Sequence, residues 1–150
     1  MGSYSTRHQC AAGSDLPIIN LTGSASVRIG LFELILGSDA SPADLAGEFV
    51  VNRTTDVGTG GTSLPSIPLD PLTVAATGAA KGGTFGVAPT DTASTELLMI
   101  PLNQKATFRW AALADRYRIF SIASANNGLM LNCTGHGGTP NMNAVMMWDE

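Results

Sequence analysis

Short apolar runs separated by turn residues follow one another at nearly even intervals through the second half of the chain. The runs occupy residues 96–102, 106–111, 117–122, 129–133 and 144–148, and Gly, Asn and Asp are frequent between them. Short strands with turn signals about every 8–12 residues are typical of antiparallel sandwiches and barrels. The pattern therefore predicts an all-β fold, an antiparallel β-sandwich of jelly-roll type with about eight strands.

The first half of the chain adds three predicted strands, at residues 16–22, 27–36 and 48–54. The run at 27–36 is the longest apolar stretch, and side chains alternate between the two faces of a strand. Both faces are largely apolar, so one needs the domain's own core as a cover and the other needs a loop or a neighbouring subunit. One face carries Val27, Ile29, Leu31 and Ile35, and the other carries Arg28, Gly30, Phe32, Leu34 and Leu36.

Two polar segments show no strand pattern. Residues 1–15 are polar and contain Gly and Ser, which predicts a flexible N-terminal arm before a single β domain at residues 16–150. Residues 55–71 are rich in Gly, Thr, Ser and Pro, and such residues weaken a strand or remove its hydrogen-bond donor. We expect a long loop here, and a loop of this length is usually functional or ordered by a partner.

Composition indicates a weakly charged surface. Charged residues make up 13% of the 150 residues, about half of the usual share of roughly 25%. Long charged side chains normally protect against association, so a surface of small neutral residues favours contact with other protein. A general bias toward small residues is the alternative interpretation. The net charge of −4 argues against nucleic acid as a partner, because phosphate binding needs clustered Lys and Arg.

Targeting signals and cysteines bear on where the protein is made. The first residues contain no apolar stretch of secretory type, and no segment approaches the roughly 20 apolar residues of a membrane span. We therefore expect synthesis in a cytoplasm and no membrane partner. Cys10 and Cys133 lie far apart and outside any metal-binding spacing, and the sequence leaves open whether they are two thiols or one disulfide.

Residues that could carry catalysis are scarce. A nucleophile needs a base that is held by a third group, and only His8 and His136 could serve near neutral pH. His8 falls in the predicted arm, and His136 lies in a Gly-rich turn that suits a hairpin tip better than a preorganised site. No spacing of His, Cys or acidic residues matches a metal motif. The sequence therefore predicts a protein without enzymatic activity, cofactor or metal.

The aromatic residues near position 110 have a packing and a binding interpretation. Phe108 and Trp110 alternate with Arg109, which favours two rings in the core and an arginine outside. The alternative is an exposed platform for a sugar, formed by Trp110, Arg109 and Tyr117.

Residues 142–150 form an apolar, Met-rich segment that is either a sheet strand or a strand that docks on a neighbour. Methionine suits adaptable interfaces because its side chain is unbranched and flexible. Together with the second apolar face of residues 27–36, this segment supplies the predicted interface. The predicted interface residues are Leu31, Leu34, Leu36, Met142, Met146, Met147 and Trp148.

Several segments resemble small structural proteins of tailed-phage virions. The resemblance covers most of the chain in scattered pieces. The pieces are residues 11–17, 34–44, 50–55, 69–71, 102–110, 123–129 and 148–150. The resemblance implies a β-sandwich that coats the capsid, a decoration or cement protein bound in several copies around local symmetry axes, and it brings no catalytic residues.

The resemblance also implies a function and a location. The protein would decorate and stabilise the capsid from its outer surface by binding at capsomer joints. Its partners would be the major capsid protein and copies of itself. Most homo-oligomers are closed and symmetric, and we expect a homotrimer that covers the extra apolar face. The alternative function is a glycan- or receptor-binding β module of a phage tail.

Overall fold

The computed structural model describes residues 2–11, 17–38, 41–136 and 141–150. These residues form twelve strands and one 3₁₀ turn, Asp115–Tyr117, between the ninth and tenth strands. The prediction of an all-β fold is confirmed. In chain order the strands are β1 (Ser3–Ala11), β2 (Pro17–Thr22), β3 (Gly30–Ser38), β4 (Ala46–Thr54), β5 (Thr59–Leu64), β6 (Ile67–Pro68), β7 (Ala79–Val87), β8 (Asp91–Asn103), β9 (Phe108–Ala111), β10 (Ile119–Phe120), β11 (Gly128–His136) and β12 (Asn141–Asp149).

The strands pair into two antiparallel sheets of six strands each. Sheet A has the order β10-β3-β12-β1-β6, and β9 also pairs with β3. Sheet B has the order β5-β7-β2-β11-β4-β8. Consecutive strands often lie in different sheets, as β1 to β4 do, so much of the chain crosses between the layers instead of forming hairpins.

One hydrophobic core contains side chains from both sheets, as in a β-sandwich. Apolar side chains of this size each contribute about 1.5–3 kcal/mol when they are fully buried. The rings of Tyr4 on β1 and Trp148 on β12 contact each other, with centroids 5.8 Å apart. The fully buried residues include Ile19, Leu21, Val51, Leu129 and Leu131 from sheet B and Leu31, Leu34, Leu36, Met146 and Trp148 from sheet A.

A β-bulge in β3 decides which of its residues face the core. The register between β12 and β3 slips by one residue at Phe32, which is left as an extra residue on β3. A bulge shifts the alternation of side chains by one position. Leu31 therefore shares the buried face with Leu34 and Leu36, although strict alternation predicted that it lies on the opposite face. That part of the face assignment is wrong.

The prediction of a flexible arm is wrong for residues 3–11, which form β1. This strand lies inside sheet A, between β12 and β6. Tyr4 and Thr6 are buried, while Ser5, Arg7 and Gln9 are more exposed, so the strand has an inner and an outer face. The inner face uses Tyr, Thr and His in place of aliphatic residues, which hides the period of two in the sequence. Residues 12–15 of the predicted arm lie outside the described residues.

The prediction of a long loop at residues 55–71 is also wrong, because this segment contains β5 and β6. Strand β5 pairs with β7 through two register shifts, and Gly60 and Gly61 have φ values of 75° and 74°. Glycine adopts this left-handed conformation without steric cost, so the strand can bend and still pair. Strand β6 lies at the edge of sheet A, where Pro68 is tolerated.

These additional strands raise the count in the described residues to twelve, above the predicted number of about eight. The jelly-roll connectivity is not confirmed and stays a prediction. Cys133 is buried on β11, and the side chain of Cys10 lies outside the described residues. Within the described ranges, no helix has the length and apolar character that crossing a bilayer requires.

Candidate interaction surface

The structure places the predicted interface residues in the core. Six of the seven are 0–1% exposed, and only Met147 lies on the outer face of sheet A, half-buried. The bulge at Phe32 turns the β3 leucines inward, and even-numbered positions of β12 face the other sheet. The second sheet of the same chain therefore covers the side chains that the sequence assigned to a neighbour. The predicted interface is wrong for Leu31, Leu34, Leu36, Met142, Met146 and Trp148.

A groove lies instead at the β9 edge of sheet A. Its volume is about 560 Å³, and it is open to solvent. Strand β9 forms its base, and the chain that leaves β9 toward the 3₁₀ turn forms its rim. We refer to it as the edge groove. It is lined by Arg109, Trp110, Ala111, Ala112, Leu113 and Tyr117.

The edge groove presents apolar and aromatic side chains to solvent. Trp110 and Phe108 are both partly buried and pack against the core, so the predicted inward direction of the two rings is confirmed, and neither ring is fully buried. Leu113 is 94% exposed, and Tyr117 is about half exposed. A leucine this exposed gains nothing from the fold of its own chain, so it is available for contact with another molecule.

Two arginines of the groove region have different partners. The Nε of Arg109 lies 2.6 Å from Oε1 of Glu33 on the neighbouring β3, and this hydrogen bond raises the pKa of the Arg109 guanidinium. The guanidinium of Arg116 lies 4.7 Å above the ring of Tyr117 and donates to its hydroxyl at 2.9 Å. Among the described residues, Arg116 forms no salt bridge, so its charge remains available at the rim.

A buried ion pair fixes the 3₁₀ turn that carries Tyr117. The guanidinium of Arg118 forms salt bridges with Asp149 on β12 and with Asp115, the latter at 2.8 Å. The hydroxyl of Ser3 also donates to Asp149. Both Arg118 and Asp149 are mostly removed from solvent, so the pair ties the rim of the groove to the centre of sheet A.

A second apolar surface lies at the opposite edge of sheet A, beside β6. Residues 67–74, which we call the apolar loop, begin with β6 and continue into a turn. Leu72 is 92% exposed and Val74 is 80% exposed, while Ile67 and Leu69 are each about half exposed. Large apolar side chains that cluster on the surface mark contact sites more often than single ones do.

Hydrogen bonds hold the apolar loop against the sheet. The amide of Leu69 donates to the carbonyl of Ser3 at 2.8 Å, and the hydroxyl of Tyr4 donates to the carbonyl of Val74 at 3.0 Å. The carboxylate of Asp70 accepts from the amide of Leu72 at 2.9 Å and closes the turn. The loop therefore displays its apolar side chains on a backbone that is already positioned.

The sequence does not reveal the apolar loop, because the first part of this segment falls within the predicted long loop at residues 55–71. A signal was present, since Ile67 and Leu69 lie between Pro65, Pro68 and Pro71, and Leu72 follows directly. Apolar residues in a Pro-rich surface turn have no reason to be there for folding alone. The edge groove was recognised in part, because Trp110, Arg109 and Tyr117 had been grouped as the alternative platform.

The two histidines belong to strands of different sheets, β1 of sheet A and β11 of sheet B. The ring of His8 is half-buried on β1, and it packs so close to Gly82 on β7 that a Cβ there would lie 2.9 Å from the ring. Burial lowers the pKa of His8. His136 ends β11, and its side chain lies outside the described residues. In the part of the chain that the structure describes, no three His, Cys, Asp or Glu residues are grouped as a metal site would need.

Comparison with known protein families, curated proteins and solved structures finds no match to this chain.

Proposed function

We propose that this protein is a structural component of a tailed-phage virion that acts by binding other protein. The observation that carries the proposal is the display of large apolar side chains, led by Leu72 and Leu113, at two edges of a stiff β body. Exposed apolar side chains held by a rigid scaffold lose little entropy on binding, so they suit a permanent contact. No catalytic role is part of the proposal.

The virion setting comes from the resemblance of the sequence, and the contact surfaces are compatible with it. A decoration protein must remain attached to the outer capsid surface, bridge capsomer joints and resist unfolding. A domain of two sheets, with a jelly-roll connectivity as the finer proposal, supplies stiffness. The proposed partners are the major capsid protein and further copies of this chain, assembled as a homotrimer.

Capsid particles prepared without this protein provide the direct test. We expect purified protein to bind such particles saturably and to raise the temperature at which they break open. The variant Met99→Asp changes an exposed side chain on β8, at the edge of sheet B, and it serves as the control that keeps binding. Absence of saturable binding by the folded wild-type protein would contradict the proposed function.

The edge groove also supports a second candidate, a glycan-binding module of a phage tail. It brings Trp110, Arg109 and Tyr117 to one surface, and aromatic rings beside a cation are common in sugar sites. Titration with a panel of bacterial surface glycans, followed by tryptophan fluorescence, tests this candidate. Quenching that is lost in Tyr117→Ala would favour it, and the absence of any response would remove it.

A further inference from the structure

We propose that the apolar loop of one copy docks in the edge groove of a second copy, so that the copies associate head to tail. This inference rests on the proposed function, because it identifies the surfaces through which the structural protein contacts itself. The two surfaces lie on opposite edges of the same sheet and differ in shape and charge. A contact between them uses a different surface on each partner, an arrangement that builds a ring when the rotation between copies closes and a filament when it does not.

The position of the two surfaces follows from the register of sheet A. A single row of paired residues crosses the sheet from β6 to β9 through β1, β12 and β3. The apolar loop lies at one end of this row and the edge groove at the other. In order across the sheet, the row is Ile67, Ser5, Met147, Glu33 and Ala111.

This alignment has a consequence for the assembly. A head-to-tail contact between surfaces at different heights along the strands would displace each copy and produce a helical filament. Surfaces at the same height add little displacement along the strands per copy, which is one condition for a closed ring; the other is a rotation between copies that returns to the first copy. We expect a closed ring, and the homotrimer is the ring size that we propose.

The chemistry of the two surfaces is complementary. The loop offers Leu72 and Val74, and the groove offers Leu113 with the ring of Tyr117. The charges are opposite, because Asp70 is exposed at the turn of the loop and Arg116 is exposed at the rim of the groove. Asp70 uses one carboxylate oxygen for the amide of Leu72, which leaves the other oxygen to accept from a guanidinium.

The lining of the groove favours a peptide segment over a sugar. A sugar needs several polar side chains that hydrogen-bond to its hydroxyl groups, whereas Ala111, Ala112 and Leu113 offer only methyl groups. Arg109 already donates to Glu33 at 2.6 Å. An apolar loop that is held in one conformation matches such a lining better, and the glycan becomes an alternative outcome of the test.

Sedimentation of single and mixed variants tests the contact. Leu72→Asp damages only the loop and Leu113→Asp damages only the groove, so each variant alone should sediment as a monomer where the wild type forms rings. A mixture of the two still contains one intact loop and one intact groove. We expect the mixture to form dimers and nothing larger, because each dimer is blocked at both free edges. The control variant Met99→Asp should form rings like the wild type.

A second measurement removes the proposed ion pair between Asp70 of one copy and Arg116 of the other, and it leaves the apolar contacts in place. Asp70→Asn retains an acceptor for the amide of Leu72 and removes the charge, and Arg116→Gln removes the opposite charge. Each substitution should weaken association roughly tenfold, by analogy with partly buried charge pairs at interfaces. Because both remove the same pair, the double variant should be weakened about as much as either single one.

The possible results separate this inference from the proposed function. Wild-type protein that stays monomeric at high concentration and still binds capsids overturns the head-to-tail contact alone. Rings that form in solution but do not bind capsids support the contact and contradict the virion role. Leu72→Asp and Leu113→Asp proteins that still form rings, or mixtures that remain monomeric, also overturn the inference. A glycan that binds the groove without affecting association assigns the groove to the second candidate function instead.

Discussion

The buried methionine and leucine side chains of β3 and β12 and the exposed side chains of the apolar loop are chemically alike but have opposite environments. Leu34 and Met146 are 0% exposed between the two sheets, whereas Leu72 is 92% exposed on the loop beside β6. The first group lies in long strands at the centre of sheet A. The second lies where prolines interrupt strand pairing, so the chain cannot bring these side chains to the core.

The comparison teaches where a binding surface can come from in a small β domain. A continuous apolar run forms a central strand, and central strands are covered by the opposite sheet of the same chain. Apolar residues in a Pro-containing edge segment escape this cover because proline keeps the segment at the edge. The surface available to a partner therefore lies where the hydrophobic signal is weak, and the strongest signal marks the core.

The largest expected effect is a difference in stability between alanine variants of two adjacent methionines on β12. Met146→Ala should lower the free energy of unfolding by about 2–5 kcal/mol, because it leaves a cavity between the sheets. Met147→Ala is the matched control on the outer face, and it should cost about 1 kcal/mol or less. Chemical denaturation of both variants measures the difference. Equal losses would mean that β12 does not have one buried face and one outer face.

The next largest effect is the difference in unfolding free energy lost when a buried ion pair and an exposed ion pair are each removed. Arg118→Ala leaves the carboxylate of Asp149 without its cationic partner and with only the hydroxyl of Ser3 beside it in a mostly buried place, and it should cost roughly 3 kcal/mol. Lys105→Ala removes a pair with Asp44 at 3.3 Å in which both side chains are more than half exposed, so it should cost about 1 kcal/mol or less. Urea titration of the two variants checks this order, and a neutral Arg118→Ala would show that the pair does not hold the 3₁₀ turn.

The all-β class of the fold could be predicted from the sequence, but the arrangement of the strands in the sheets could not. The runs at 96–102, 129–133 and 144–148 predict strands because turn residues separate these apolar runs from one another. Strands β8, β11 and β12 lie at these places. Strand β1 was missed because its inner face is made of Tyr, Thr and His. Nothing local announces the bulge at Phe32, because a bulge arises from pairing with a distant strand.

Of the two candidate surfaces, only the aromatic residues of the edge groove could be named from the sequence. The sequence names Trp110, Arg109 and Tyr117 as an alternative platform, although the alternation of Phe108, Arg109 and Trp110 favours packing of both rings in the core. The exposure of Leu113 and Leu72 depends on which strand lies at each sheet edge. That order is set by long-range pairing and has no counterpart in the local pattern.

A smaller effect concerns His8. Its ring is half-buried on β1 and packs against Gly82 of sheet B, whereas a flexible arm would leave the ring in solvent. Burial holds its pKa below the ordinary value of 6.5. Between that lowered pKa and about 6.5 the unfolded chain binds more protons than the folded one, so stability rises with pH across this window. His8→Gln should reduce this increase of stability with pH, as measured by thermal unfolding between about pH 5 and pH 8. An unchanged slope in the variant would assign the dependence to other groups.

The smallest effect on the fold of a single copy belongs to the exposed side chains themselves. Leu72→Ser and Leu113→Ser should change the unfolding free energy of dilute protein by no more than about 0.5 kcal/mol, because neither side chain is covered by its own chain. Association stabilises only the folded state, so the melting temperature of the wild type should increase with protein concentration. This increase should disappear in both variants and persist in Met99→Ser. A melting temperature that is independent of concentration in the wild type would show that the exposed surface of this domain does not contact another copy.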